Sequence, residues 1–153
     1  LPAAVYQTSV LAKRVDFVSV GSNDLTQYLL AVDRNNPRVA SLYSAFHPAV
    51  IAALQQVVTL AKAEGKPVSI CGEMAGDPGA AVLLIAMGYD VLSMNASTLL
   101  KVKSVIRSVS MDVAKDLLEQ VADLDDAQTI RSAVDMALYN AGVDRLLRSS
   151  RTH

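Results

Sequence analysis

Up to Ser110 the chain alternates short β-branched runs with stretches of helical periodicity. Pro2 to Arg14 reads as a helix with Val5, Val10 and Leu11 on its apolar side. Val15 to Val20 is a strand-like run ending at Gly21, Thr26 to Val32 has room for a helical turn or two, and Asp33 to Phe46 is polar and loop-like. His47 to Glu64 is the clearest helix. Pro48 suits its first position, Val50, Leu54, Val57, Val58 and Ala61 recur at helical spacing, and Gly65 is placed to end it. A second strand follows at Pro67 to Cys71, bounded by Gly72. Asp77-Pro78 opens a helix to Met87, with Asp77 as N-cap and Gly88 as terminator. Asp90 to Met94 reads as a third strand and Thr98 to Val109 as a helix.

Beyond Ser110 the strand signal stops. Val113, Leu117, Val121 and Leu124 mark one amphipathic helix, and Ile130, Val134, Ala137, Leu138 and Ala141 a second. Between them Asp123, Asp125 and Asp126 suit a helix start. The expectation is an α/β unit over residues 1–109 and a helical extension over 110–153 that packs on it. Three strand–helix units in a row suit consecutive units of a (β/α)₈ barrel, and on pattern alone they suit an open doubly wound sheet equally.

Composition narrows the class. A length of 153 residues supports one domain with a real core. With 14 basic and 15 acidic residues and no Lys/Arg cluster, nucleic acid is not an expected partner. The longest apolar run, Ala80 to Met87, is far too short to cross a membrane, and no signal-peptide pattern stands near Leu1. The single cysteine, Cys71, forms no internal disulfide and fits a reducing cytoplasm. A start at Leu1 rather than Met leads us to expect a piece of a longer protein.

Candidate chemistry gathers at strand ends, where parallel α/β folds bind ligands. After the first strand, Asp24 offers a hard oxygen to Mg²⁺ and Asn23 an amide for phosphate or carboxylate oxygens, and Arg34 on the same connection can fork onto a phosphate. The competing reading is that Ser22-Asn23-Asp24 caps the next helix. After the second strand, Cys71 can serve as nucleophile or general acid and Glu73 adds a carboxylate, against the ordinary fate of a lone cysteine as a small buried hydrophobe. Asn95, after the third strand, can reach the same crevice. His47 reads as a helix-start residue, and His153 as a disordered terminal residue. No phosphate-binding glycine fingerprint, nucleophile elbow or zinc spacing is present.

The run Asp16-Phe17-Val18-Ser19-Val20-Gly21-Ser22-Asn23-Asp24-Leu25-Thr26-Gln27-Tyr28 resembles the signature of the phosphoenolpyruvate-utilising enzymes. Ala31 to Asn36, His47 to Val50 and Ile70 to Asp77 continue the resemblance in order, from about Pro2 to Arg107. The family includes enzyme I of the sugar phosphotransferase system, its nitrogen-related paralogue, phosphoenolpyruvate synthase and pyruvate phosphate dikinase. The Tyr28 to Asn36 run and the Met-Ala-Gly-Asp ending at Asp77 lean toward the protein phosphotransferases, and the helical tail toward the nitrogen-related paralogue.

The resemblance implies the last three to four units of a (β/α)₈ TIM barrel that binds phosphoenolpyruvate with Mg²⁺. Its phosphoryl group goes to a histidine on a separate domain and then to a histidine phosphocarrier protein, leaving pyruvate. It assigns Asp24 to Mg²⁺, Asn23 and Arg34 to the phosphate, Cys71 to protonation of enolpyruvate, and Glu73 to a supporting place beside it. It also implies a homodimer. The family's second metal-binding carboxylate, two substrate-binding arginines, the phosphorylated histidine and the carrier-binding helices would all lie upstream of Leu1, so the chain alone is expected to be inactive. Phosphoenolpyruvate synthase or the dikinase is the nearest alternative enzyme, and a dimerisation or structural module the alternative of another class.

Overall fold

A computed structural model describes residues 1–143; His153 and the far end of the expected extension lie outside them. The described residues form three parallel strands, β1 (Val18–Gly21), β2 (Val68–Cys71) and β3 (Val91–Ser93), adjacent in chain order. The helices are α1 (Pro2–Tyr6), α2 (Thr8–Ala12), α3 (Ser22–Leu30), α4 (Pro48–Ala63), α5 (Glu73–Gly76), α6 (Pro78–Met87), α7 (Ala96–Ser108), α8 (Met111–Ala122) and α9 (Ala127–Asn140). A 3-10 turn at Ala40–Leu42 interrupts the long polar connection.

Strand register fixes two faces. Val20, Ile70 and Leu92 stand side by side, as do Gly21, Cys71 and Ser93. Alternation sends the first set into the helices, where Val68 and Ile70 are fully buried. The other face carries Ser19, Ser69, Cys71, Val91 and Ser93, and no described helix covers it: Val91 is 55% exposed. All-parallel sheets are ordinarily covered on both faces; here the described residues cover one.

The helical expectations hold where caps declare them. His47 Nδ1 accepts from Ala49 N–H at 3.1 Å to open α4, Asp77 Oδ1 accepts from Ala80 N–H at 2.9 Å to open α6, and Asp126 Oδ2 accepts from Thr129 N–H at 2.8 Å to open α9. Gly65 and Gly88 end α4 and α6 as expected. The almost wholly apolar α6 is buried on all sides because the α/β unit packs on one flank and α8 and α9 on the other. One hydrophobic core therefore runs from Val5 to Val143.

Three readings change. The single helix over Pro2–Arg14 is two, broken at Gln7, where the Thr8 hydroxyl donates back to the carbonyls of Ala4 and Val5. Its buried face is Val5, Thr8 and Ala12, the regular i, i+3, i+7 stripe, whereas Val10 (55%) and Leu11 (42%) are exposed. The first strand starts at Val18, not Val15, and α3 starts at Ser22, four residues before Thr26. The one-turn α5 had no periodic signal to announce it.

Asp90 latches the start of β3 to β2. Its carboxylate accepts from Val68 N–H at 2.7 Å and from Lys62 Nζ at 2.6 Å, and these bonds hold its pKa below the usual carboxylate value. A depressed folded-state pKa contributes stability that is present above the unfolded value and is lost as pH falls through the folded one. Asp90→Asn should therefore lower the denaturant midpoint at neutral pH, by about 1 kcal/mol or less given the partial exposure. The deficit should vanish in acid, where wild type has lost the same bonds.

Packing between α6 and α9 is close. A Cβ at Gly79 would lie 2.5 Å from Val134 Cγ1. Gly79→Ala should thus destabilise by about 1–3 kcal/mol, against a gain of about 1 kcal/mol in helix propensity. Adding Val134→Ala should recover part of the loss in thermal unfolding. A stabilised Gly79→Ala single variant would contradict the packing.

Candidate functional site

The aligned ends of the strands set the floor of a cleft of about 570 Å³. Asn23, Arg34, Cys71, Gly72, Glu73, Ser93, Asn95 and Thr98 are among its lining residues. Its size suits a small ligand. Among the described residues Arg34 and Glu73 are the charged ones that line it, and they are paired: Arg34 Nη1 lies 2.9 Å from Glu73 Oε1. A smaller cavity of about 120 Å³ beside β1 is lined by residues such as Val5, Val18 and Leu25 and has no charged lining residue, so it offers packing rather than chemistry.

Side chains of the first α3 turn tie the two strand ends together. Ser22 Oγ donates to the Cys71 carbonyl at 2.8 Å, and Asn23 Oδ1 accepts from Glu73 N–H at 3.1 Å. Neither caps its own helix. The capping alternative for Ser22-Asn23-Asp24 therefore gives way to a cross-link between the β1 and β2 ends. Gly72 makes the approach possible: its φ of +107° disfavours any side chain, and a Cβ there would overlap the Ser22 hydroxyl.

The long helices differ in how they begin. Side chains of His47, Asp77, Ser110 and Asp126 cap α4, α6, α8 and α9. Helices α3 and α7 have no side-chain cap, and both begin at the cleft, at Asn23 and at Asn95 with Thr98. Uncapped N-termini present free N–H groups and a positive dipole end, which is an arrangement for anions.

Of the residues singled out in the sequence, Asn23, Arg34, Cys71, Glu73 and Asn95 meet in this cleft. Cys71 is exposed rather than buried, so the small-hydrophobe alternative fails for it. Asp24 stands exposed on the first turn of α3 and does not line the cleft. Among the described residues no group of three or more His, Cys, Asp or Glu side chains converges to hold a metal. His47 is occupied as a helix cap.

Sequence reasoning missed Tyr43. Burial raises its pKa above the ordinary phenol value, the Thr26 hydroxyl opposes the rise, and the charges of Glu73, Arg34 and Asp24 all reach it. The Thr26 Oγ1 is fully buried and finds no partner at hydrogen-bonding geometry among the described residues, so its contact with Tyr43 is polar proximity rather than a formed bond. An aromatic within a polar connection was the only available signal.

Residues 1–111 match the family described as PEP-utilising enzyme, PEP-binding domain. The chain belongs to that family. It is 42% identical over 148 residues, 97% of this chain, to the "Phosphoenolpyruvate-dependent phosphotransferase system" protein of Salmonella typhimurium, and the match to the protein of that name in Escherichia coli is of the same extent. To the "Phosphoenolpyruvate-protein phosphotransferase" of Haemophilus influenzae it is 42% identical over 134 residues, 88% of the chain. These matches span 20% to 23% of the relatives' own lengths. No described helix is long and apolar enough to cross a membrane.

Gly72→Ala should disorder the cleft by forcing Ser22 aside and straining the backbone. We expect a stability loss of about 1–3 kcal/mol from the conformation alone. A Ser22→Ala background should relieve the steric part but not the conformational part. Equal stability of Gly72→Ala and wild type in urea titration would rule this out.

Proposed function

We propose that this chain is the phosphoenolpyruvate-binding end of a phosphoenolpyruvate-protein phosphotransferase, working in the cytoplasm as part of a longer homodimeric protein. The observation that carries the reading is the convergence of Asn23, Arg34, Cys71 and Glu73 on one cleft between two uncapped helix starts. Phosphoenolpyruvate is a small polyanion with a phosphate and a carboxylate, so two anion-favouring helix ends and one guanidinium suit it. The open sheet face supports the (β/α)₈ barrel: Ser19, Ser69, Cys71 and Ser93 would face the barrel interior once the other strands close it.

In this reading Arg34 and Asn23 hold the phosphate. The P–O bond to the enol oxygen breaks and a P–N bond forms to the enzyme's own histidine, which lies on another domain. The electron pair left on oxygen becomes the pyruvate carbonyl, and the methylene carbon takes the proton from Cys71 Sγ, which solvent later restores. A histidine phosphocarrier protein then receives the phosphoryl group. Mg²⁺, when bound, neutralises charge on the phosphoryl oxygens. Asp24 fits the ion in kind, being an exposed carboxylate with no ion pair among the described residues, although it stands on the first turn of α3 outside the cleft lining. As a single ligand it is a minimal share, since Mg²⁺ is usually held by one or two carboxylates together with substrate oxygens.

The names of the relatives favour this reading over phosphoenolpyruvate synthase or the dikinase. The helical tail is the feature on which the nitrogen-related assignment rests. Exposed apolar residues on the helices before β1 and after β3, such as Tyr6 (76%) and Leu100 (79%), support the barrel closure and the dimer alike.

The chain by itself should release no pyruvate from phosphoenolpyruvate in a lactate dehydrogenase-coupled assay. It should still bind the substrate weakly. Titrating phosphoenolpyruvate with Mg²⁺ should shift the amide resonances of residues 21–24, 71–76 and 95–98, and Arg34→Ala should weaken that binding by about tenfold or more. Shifts confined to other surfaces would overturn the assignment of this cleft.

A further inference from the structure

The cleft is bordered by two connections that carry its charged residues. The α3–α4 connection, residues 31–47, has Arg34 near its start and Phe46 near its end. The β2–α6 connection, residues 72–77, has Glu73 near its start and Asp77 at its end. Inside the cleft the two are joined by the Arg34–Glu73 ion pair. They are joined a second time outside it, through a residue of the helical extension. Arg131 on α9 donates from Nη1 to Asp77 Oδ2 at 2.7 Å, and its guanidinium carbon lies 4.9 Å from the centroid of the Phe46 ring.

We propose that Arg131 is a positioning residue for the cleft, holding the two connections at the spacing at which Arg34, Glu73 and Cys71 meet. The extension thereby acts on the site without touching it. The proposal extends the reading above, and it rests on the geometry of the cleft rather than on its ligand.

An isolated surface ion pair would not carry this, because such pairs contribute little. Arg131 differs in its partners. Phe46 is a buried ring at 9% exposure, and Asp77 is anchored by its other oxygen as the cap of α6. A planar guanidinium can stack on the one while bonding the other, which an ammonium cannot do as well. The path from Asp77 to the cleft is short. Asp77 N–H donates to the Met74 carbonyl at 3.2 Å, Ala75 N–H to the Gly72 carbonyl at 3.2 Å, and Glu73 N–H to Asn23 Oδ1 at 3.1 Å. Displacing Asp77 therefore pulls on the one-turn α5 whose first residue is Glu73. A second carboxylate, Asp135, meets Arg131 Nε at 3.1 Å from within α9 itself, so it orients the arginine but joins no other segment.

The test needs no ligand and no catalysis, so its outcome is independent of whether the cleft binds phosphoenolpyruvate. In the 153-residue chain, Cys71 is the only thiol, and its alkylation by iodoacetamide reports the β2 end. Amide hydrogen exchange at Glu73, Ala75 and Asp77 reports the segment between. Arg131→Ala and Asp77→Asn, the latter keeping a cap acceptor for Ala80, should each speed exchange at these amides by about tenfold and change the alkylation rate severalfold. The double variant should do no more than either single one. Arg131→Lys should recover part of the protection through the Asp77 contact, Asp135→Asn should leave the segment as in wild type, and Val57 and Val58 in α4 should stay protected throughout. Unchanged exchange at residues 73–77 in both single variants would overturn the proposal. So would additive effects of the pair, or acceleration that reaches α4 equally.

Discussion

Parallel pairing in one register is the constraint on which the rest depends. Because Gly21, Cys71 and Ser93 stand at one level and on one face, the segments that leave the three strands emerge together, and their polar residues meet without further design. Slipping β2 by one residue would turn Cys71 into the helical core and bring Ile70 to the open side. Asp90 guards against this on the β3 side by binding the backbone of Val68 and the Lys62 ammonium at once. On the β1 side the Ser22 hydroxyl does so by seizing the Cys71 carbonyl.

Electrostatics at the cleft are arranged but unspent. Two helix starts lack side-chain caps, and Arg34 is neutralised by a carboxylate that is itself largely in water. Exposed ion pairs exchange partners at little cost. Glu73 thus keeps the Arg34 fork oriented across the cleft without holding it firmly.

The sequence announced the elements best where local chemistry was decisive. His47-Pro48 and Asp77-Pro78 declare their helices through a cap acceptor and a proline at the first position, and both helices begin there. The first strand was legible as a β-branched run closed by Gly21 and the second by Gly72 after it, although the first starts later than expected, with Val15 and Phe17 facing solvent. At the N-terminal helix apolar identity and spacing disagree: Thr8, a polar residue that satisfies its own hydroxyl, takes the buried position, and Leu11 is exposed. Of the site, Asn23, Arg34, Cys71 and Glu73 could be named from strand ends and from the family resemblance. Their mutual contacts could not be, since the Arg34–Glu73 and Ser22–Cys71 contacts join residues 39 and 49 positions apart. Arg131 was further out of reach, as it bonds Asp77 across 54 positions from a helix whose pattern spoke only of packing.

The notch at Gly79 has a bearing on how this extension tolerates change in length. Val134 fills a gap in α6 that exists only because one position there lacks a side chain. Sliding α9 by a residue in either direction would offer Ala133 or Asp135 to that gap, one too small and the other charged. The helix is therefore keyed to a fixed axial position on α6. An insertion or deletion between α8 and α9 has to be absorbed within the acidic segment 123–126, by bulging or tightening the turn, because the helix beyond it has only one place to sit.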